Sequence, residues 1–162
     1  MADTDRLIEV TLDDSGLPPP STEVEQERRV ALYDLTQENA FGLPGREGRP
    51  APEGPYRLGL GLRDKLLAFE VTTEAGEPAG AFLLSLTPFR QIFKDYFQIC
   101  EAYFDAVRRL PPAQIEAIDM GRRGLHDEGS RILLERLDGK VETDMATARR
   151  LFTLLCALQI RG

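Results

Sequence analysis

The chain has 162 residues, a formal net charge of -7 and an apolar fraction of 42%. A chain of this length buries roughly 70% of its unfolded surface on folding, which is enough for one ordinary hydrophobic core. No apolar run reaches the roughly 18–20 residues of a membrane-spanning helix, the acidic N-terminus lacks the regions of a signal peptide, and two cysteines cannot form a disulfide framework. We therefore expect a soluble cytoplasmic protein with a single α+β domain over residues 1–162, with no membrane partner.

The first part of the chain predicts one strand and one helix. Apolar and polar residues alternate over 7–12, which is typical of a half-buried strand. A helix should follow from Ser21 or Thr22 to about Asn39, with Thr22 and Glu25 forming a capping box. Its apolar positions recur at helical spacing and should form a buried stripe of Val24, Ala31, Leu32 and Leu35.

Residues 39–55 form a segment rich in glycine and proline, with four of each. This composition excludes a strand ladder or a helix and predicts a surface loop. The alternative is a peptide that binds in the groove of a partner protein. The residues before the segment are too few to fold alone, so it does not mark a domain boundary.

Three strands should follow, over 56–63, 66–72 and 79–86. Apolar residues alternate along each of them, and short turns join them. Short connections require antiparallel pairing. The strand over 7–12 should join one edge of this meander.

A long amphipathic helix is the strongest periodic signal in the sequence. Large apolar residues recur at spacings of three and four from Phe89 to Val107. Thr87 is the predicted N-cap, and Pro88 fits the first helical position, which needs no N–H donor. This helix should cover the apolar face of the sheet and contribute most of the core.

Two further helices complete the predicted fold. One should begin at Pro112 or Ala113, and the last near Thr143 or Asp144. The sequence therefore predicts an α+β fold in which a three- to four-stranded, mostly antiparallel sheet packs against a long amphipathic helix, with further C-terminal helices. The last helix could also support a homodimer, because one apolar stripe does not distinguish self-association from core packing.

Three glycines interrupt the helical pattern over 118–130, at Gly121, Gly124 and Gly129. Each glycine costs roughly 0.8–1 kcal/mol relative to alanine inside a helix. We expect a kinked or interrupted helix, with the bend at Gly121 or Gly124. We also expect a neighbouring group to approach these glycines so closely that side chains would be in the way.

Polar residues are dense in the same segment. On a continuous helix, four of them would lie on one side: Asp119, Arg122, Arg123 and His126. One hypothesis is a non-enzymatic binding or regulatory protein that acts through 119–128, with Arg122 and Arg123 as anchors for an acidic protein partner or an anion. The plain alternative is a solvated face on which Asp119 pairs with one of the arginines.

Two other function classes stay open at this point. His126 is the one histidine of the chain, so a hydrolase or transferase would use it as acid or base, with Asp119, Asp127 or Glu128 as orienting group or metal ligand. The spacing matches no zinc motif, and we predict no metal, no cofactor and no catalytic residue. A nucleic-acid binder is disfavoured because carboxylates alternate with the arginines. Cys100 and Cys156 both fall on apolar stripes, where they should be buried.

Three segments carry a resemblance to a known family: residues 85–90, 115–126 and 147–153. Together with residues 94–97, they resemble uncharacterised protein family 0262, a group of small proteins from alphaproteobacteria. The resemblance extends from about Leu7 to Gly162, and the segment rich in glycine and proline departs from it most. It implies a bacterial cytoplasmic protein and assigns no catalytic residue.

Overall fold

The computed structural model describes residues 2–15, 17 and 19–159, and it confirms the predicted α+β class. In chain order, the strands and helices are β1 (Leu7–Asp13), α1 (Thr22–Gln37), β2 (Phe41–Gly42), β3 (Tyr56–Arg63), β4 (Leu66–Thr73), β5 (Pro78–Ser85), a 3-10 turn (Thr87–Phe89), α2 (Arg90–Arg109), α3 (Pro112–Leu137), β6 (Glu142–Thr143) and α4 (Met145–Gln159).

The main sheet has four strands in the order β1-β3-β4-β5. The meander from β3 to β5 is antiparallel, as predicted from its short turns. β1 joins the edge of the meander next to β3 and runs parallel to it. The parallel pairing is possible because α1 and a long loop connect the two strands, and a crossover of this length can return the chain in the same direction.

The start of α1 differs from the predicted capping box. The hydroxyl oxygen of Ser21 accepts a hydrogen bond from the backbone N–H of Val24 at 3.2 Å, while Thr22 is already helical. Ser21 precedes the helix by one residue, which places its oxygen within reach of an N–H group that has no partner inside the helix. The predicted buried residues Val24, Ala31 and Leu35 are buried, and Leu32 is partly buried.

The prediction that 39–55 forms no strand is wrong at its beginning. Phe41–Gly42 pairs antiparallel with Glu142–Thr143, and Phe41 is fully buried. The hydroxyl oxygen of Thr147 accepts a hydrogen bond from the backbone N–H of Ala40 at 2.9 Å. These partners lie about a hundred residues away in the sequence, so composition alone could not reveal them.

The region before α2 also differs in detail. Thr87 does not cap a helix but lies in the 3-10 turn, and α2 begins at Arg90. The apolar side of α2 packs on the sheet as predicted, with Ile92, Phe93 and Tyr96 in the same hydrophobic core as the strands. None of the helices in the described part of the chain is both long and apolar enough to cross a membrane.

The most buried helix is α4, although the sequence indicated α2. Eight of the fifteen residues of α4 are buried, against five of twenty in α2. α4 packs against α1 on one side and α3 on the other, while α2 packs against α3. α4 is therefore the helix with the largest share of buried residues in the described part of the chain.

α3 is continuous over 26 residues, so the predicted interruption is wrong, while the bend at Gly121 or Gly124 stays a prediction. The expected close approach is present at two of its glycines. A Cβ added to Gly129 would lie 2.1 Å from Cζ of Phe152, and one added to Gly121 would lie 2.8 Å from Cδ1 of Ile99. At Gly124, no neighbouring group among the described residues lies within 4 Å of such a Cβ. The expected close approach is therefore absent at this glycine. Close packing against α2 and α4 offsets the helix cost of the two packed glycines.

Candidate functional site

A cleft of about 620 Å³ opens between α1, α3 and α4. We call it the helix cleft. Its polar and charged lining comes from Gln26, Glu27 and Asp34 of α1, from Arg122, Arg123, His126 and Asp127 of α3, and from Arg149, Arg150 and Thr153 of α4. Val30 and Ala31 of α1 and the nearly buried Tyr96 of α2 supply apolar surface. The volume lies within the range of about 300–1,000 Å³ that is usual for small-molecule sites.

The continuous helix brings the four residues singled out in the sequence to one side of α3. Arg122, Arg123 and His126 line the helix cleft. Asp119 pairs with both arginines: its Oδ1 lies 2.6 Å from Nη2 of Arg122, and its Oδ2 lies 3.2 Å from Nε of Arg123. Asp119 therefore positions the two guanidinium groups.

Arg122 connects three helices. Its guanidinium carbon lies 4.3 Å from the ring centroid of Tyr103 in α2, in a cation–π arrangement. Its Nη1 lies 3.9 Å from Oε1 of Glu27 in α1. Only 23% of the Arg122 side chain is exposed, against 64% for Arg123. Arg122 is therefore held in place on all sides, while Arg123 is accessible to solvent.

Glu27 is a site residue that the sequence reasoning missed. Burial raises its pKa above the usual value for glutamate, and the charge of Arg122 opposes this shift. The sequence did contain a pattern that points to Glu27, because this residue lies three residues after Val24 and four before Ala31. These spacings place a carboxylate on the buried stripe of α1, where an acidic residue is unusual.

His126 lies at the junction of α2, α3 and α4. Its ring makes edge contacts with Tyr96 and Phe152, with ring centroids 5.5 and 5.1 Å apart. Its Nε2 lies 2.8 Å from the hydroxyl oxygen of Thr153. Burial lowers the pKa of His126 to about 4, so the imidazole is neutral at neutral pH.

The other ring nitrogen of His126 faces Ser130. The hydroxyl of the fully buried Ser130 donates to the backbone carbonyl of His126 at 2.7 Å, and its oxygen lies 3.5 Å from Nδ1. The hydroxyl of Thr153 donates to the backbone carbonyl of Arg149 at 3.3 Å, so its oxygen can accept a hydrogen bond from a proton on Nε2 of His126. In the described part of the chain, no carboxylate is hydrogen-bonded to the imidazole, so Asp119, Asp127 and Glu128 do not orient it.

The α4 side of the helix cleft carries two more arginines. Nε of Arg149 donates to Oδ1 of Asp127 at 3.0 Å, and Nη1 of Arg150 donates to the backbone carbonyl of Glu38 at 2.9 Å. Together with Thr153, these residues were not identified as site residues from the sequence. No spacing relates α4 to α3, because their contact is set by tertiary packing.

Both cysteines are buried, as predicted. Burial raises the pKa of the Cys100 thiol to about 11 and also raises that of Cys156, so both stay protonated at neutral pH. In the described ranges, no group of three or more histidine, cysteine, aspartate or glutamate side chains is placed to hold a metal ion.

Comparison with known proteins identifies the family. The chain is 64% identical over 157 residues to a UPF0262 protein of Roseobacter denitrificans, with 97% of the chain and 99% of the relative covered. It is 63% identical to one of Ruegeria pomeroyi, with 97% and 98% covered, and 64% identical to one of Paracoccus denitrificans, with 94% of each chain covered.

The names of these relatives state no activity. No solved structure matches the chain. The model of the Uncharacterised protein family (UPF0262) matches residues 4–161, which is nearly the whole chain. This match and the high identity to the relatives confirm the resemblance noted in the sequence: the chain belongs to the uncharacterised protein family UPF0262, and its relatives come from alphaproteobacteria.

Proposed function

We propose that this protein is a non-enzymatic cytoplasmic binding protein and that the helix cleft binds a small ligand with an anionic group. One observation carries the proposal: α3 and α4 direct four arginines, Arg122, Arg123, Arg149 and Arg150, to a single cleft of small-molecule size. A guanidinium group presents several N–H donors in a planar fork, which suits carboxylate and phosphate oxygens.

Two of the four arginines carry a charge that their protein partners do not fully neutralise. Arg123 is mostly exposed and shares Asp119 with Arg122. Among the described residues, Arg150 has only a backbone carbonyl as its hydrogen-bond partner, so no carboxylate neutralises it. The neutral His126 also lines the cleft and adds no charge to it. The site is therefore positioned in advance by Asp119 and Asp127, and an anion would complete it.

The same contacts favour binding over catalysis. Thr153 and His126, 2.8 Å apart, have the spacing of a nucleophile and its base, which keeps a hydrolase or transferase as the second candidate. A general base works best when its pKa lies near the working pH. With a pKa of about 4, His126 is a weak base at neutral pH.

Nucleic acid and an acidic protein surface fit the helix cleft less well. The arginines lie in a concavity and share it with Glu27, Asp34 and Asp127, which repel a phosphate backbone. A small anion can contact the arginines without approaching these carboxylates.

The test is a calorimetric titration of the purified chain with probes that carry an anionic group: inorganic phosphate, short mono- and dicarboxylates, and the protein amino acids. We expect at least one probe to bind, and we expect Arg150→Ala and Arg123→Ala each to weaken it by about tenfold or more. Arg131→Ala is the matched control, because Arg131 lies on the same helix outside the cleft. Absence of binding for every probe, or equal binding by the Arg150 variant, would contradict the proposal.

A further inference from the structure

The two sides of the helix cleft carry opposite charges. The α1 side presents the carboxylates of Glu27 and Asp34, and the α3 and α4 side presents the arginines. Glu27 and Asp34 are seven residues apart, which is about two helical turns or roughly 10 Å along one face of α1. The carboxylates therefore extend along the cleft opposite the basic side.

Arginines connect the two sides at two points. Arg122 approaches Glu27 at 3.9 Å, and Arg150 reaches the backbone carbonyl of Glu38, just after the C-terminal end of α1. Asp34 lies one turn before Glu38. The two contacts are eleven residues apart along the chain of α1 and its end.

Asp34 is the unpaired acid of this arrangement. Within the described residues, its carboxylate makes no hydrogen bond or ion pair, although it is only partly exposed. Arg150, from the opposite side of the same cleft, has no carboxylate partner in that part of the chain either. The pairs Asp119 with Arg122 and Arg123, and Asp127 with Arg149, neutralise much of the remaining charge. In the described part of the chain, Asp34 and Arg150 thus line one cavity without a charged partner.

Resting on the proposed function, we propose that the ligand of the helix cleft is a small zwitterion of the amino-acid class. Its ammonium group would bind Asp34, and its carboxylate would bind Arg150. A ligand with only a negative charge would leave Asp34 unpaired beside it. The apolar surface of Val30 and Ala31 lies between Glu27 and Asp34 on α1 and suits a short apolar side chain of the ligand.

The experiment compares three versions of each probe on the full chain. Each protein amino acid is titrated by calorimetry beside the acid that lacks its amino group and the amine that lacks its carboxylate. For leucine, these are 4-methylpentanoate and 3-methylbutylamine. We expect at least one amino acid to bind about tenfold or more tightly than either of its counterparts, because each charged contact is worth about that factor.

Asp34→Asn tests the assigned contact. We expect this variant to bind the amino acid only as tightly as its deaminated acid, while Asp64→Asn, a matched change on the exposed turn between β3 and β4, keeps the wild-type preference. Circular dichroism spectra confirm that each variant is folded.

The outcomes separate the two proposals. Equal binding of the acid and the amino acid, unchanged in Asp34→Asn, would overturn the zwitterion while leaving the anion site intact. Tight binding of the amine alone would overturn both proposals, since no anion would then be needed. Absence of binding by all three versions of every probe would overturn the zwitterion, and it would overturn the anion site as well if inorganic phosphate and the dicarboxylates also fail to bind.

Discussion

Gly129 of α3 lies directly against the ring of Phe152 in α4. A Cβ added to this glycine would lie within 2.1–2.6 Å of three atoms of the ring. Phe152 is fully buried and is surrounded by Phe89, Phe93 and the His126 ring. The glycine therefore lets α3 and α4 approach, and the same contact holds His126 at the cleft.

Gly129→Ala should destabilise the protein. The new methyl group overlaps a ring that has no free space to move into, and overpacking of this kind costs about 1–3 kcal/mol. Urea unfolding followed by circular dichroism measures the change in the free energy of unfolding.

Gly124→Ala is the matched control on the same helix. Nothing described lies within 4 Å of the added Cβ, so only helix propensity changes, and the free energy of unfolding should rise by roughly 0.8–1 kcal/mol. Equal effects of the two substitutions would contradict the packing role of Gly129.

The stability of the protein should depend on pH through His126. Its pKa is about 4 in the folded protein and 6.5 without perturbation, so the unfolded chain binds more protons between these values. The contribution of the neutral imidazole is complete above pH 6.5 and is lost as the pH falls through 4. When the pH falls from 7 to 5, the free energy of unfolding should decrease by about 2 kcal/mol.

The control for this pH dependence is His126→Asn, which removes the titrating group and leaves the carboxylates in place. Unfolding free energies of both proteins at pH 7 and pH 5 give the histidine contribution as a difference. A proton NMR titration should show no protonation of the imidazole above about pH 5. An imidazole that titrates near pH 6.5 would show that the ring is solvated.

The two adjacent arginines of α3 should differ in their effect on stability. Arg122→Ala removes the pair with Asp119 and the contact with the Tyr103 ring from a largely covered position, and should lower the free energy of unfolding by about 1–2 kcal/mol. Arg123→Ala removes an exposed ion pair and should change it by less than about 0.5 kcal/mol. Chemical denaturation measures the free energy of unfolding of both variants. A larger decrease in the Arg123 variant than in the Arg122 variant would contradict the prediction.

Asn39 should be important for the junction of α1 and β1. Its side chain accepts from the backbone N–H of Leu7 at 2.7 Å and donates to the backbone carbonyls of Leu7 and Leu35 at 2.9 and 2.5 Å. Asn39→Ala leaves these backbone groups of the fully buried Leu7 and Leu35 without their partner. The substitution should lower the free energy of unfolding by about 2–3 kcal/mol. Thermal unfolding of the Asn39 variant measures this cost. Gln37→Ala, an exposed change two residues earlier, is the control and should have almost no effect in the same measurement.

Local pattern was sufficient for much of the fold. Period-two alternation placed β3 and β4 to within a residue, and turn lengths fixed their antiparallel pairing. The side of α3 that carries Asp119, Arg122 and His126 followed from helical spacing alone. The direction of β1 did not follow, because a long crossover permits either orientation.

Part of the candidate site was therefore present in the sequence and part was not. The α3 residues could be found because they are neighbours on one helix, and their relation depends only on the helical repeat. Glu27 and Asp34 of α1, and Arg150 of α4, join them only after three helices pack together. The continuity of α3 was decided in the same way. Glycine weakens an isolated helix wherever it occurs, but whether a ring fills the space above it depends on side chains from distant parts of the chain.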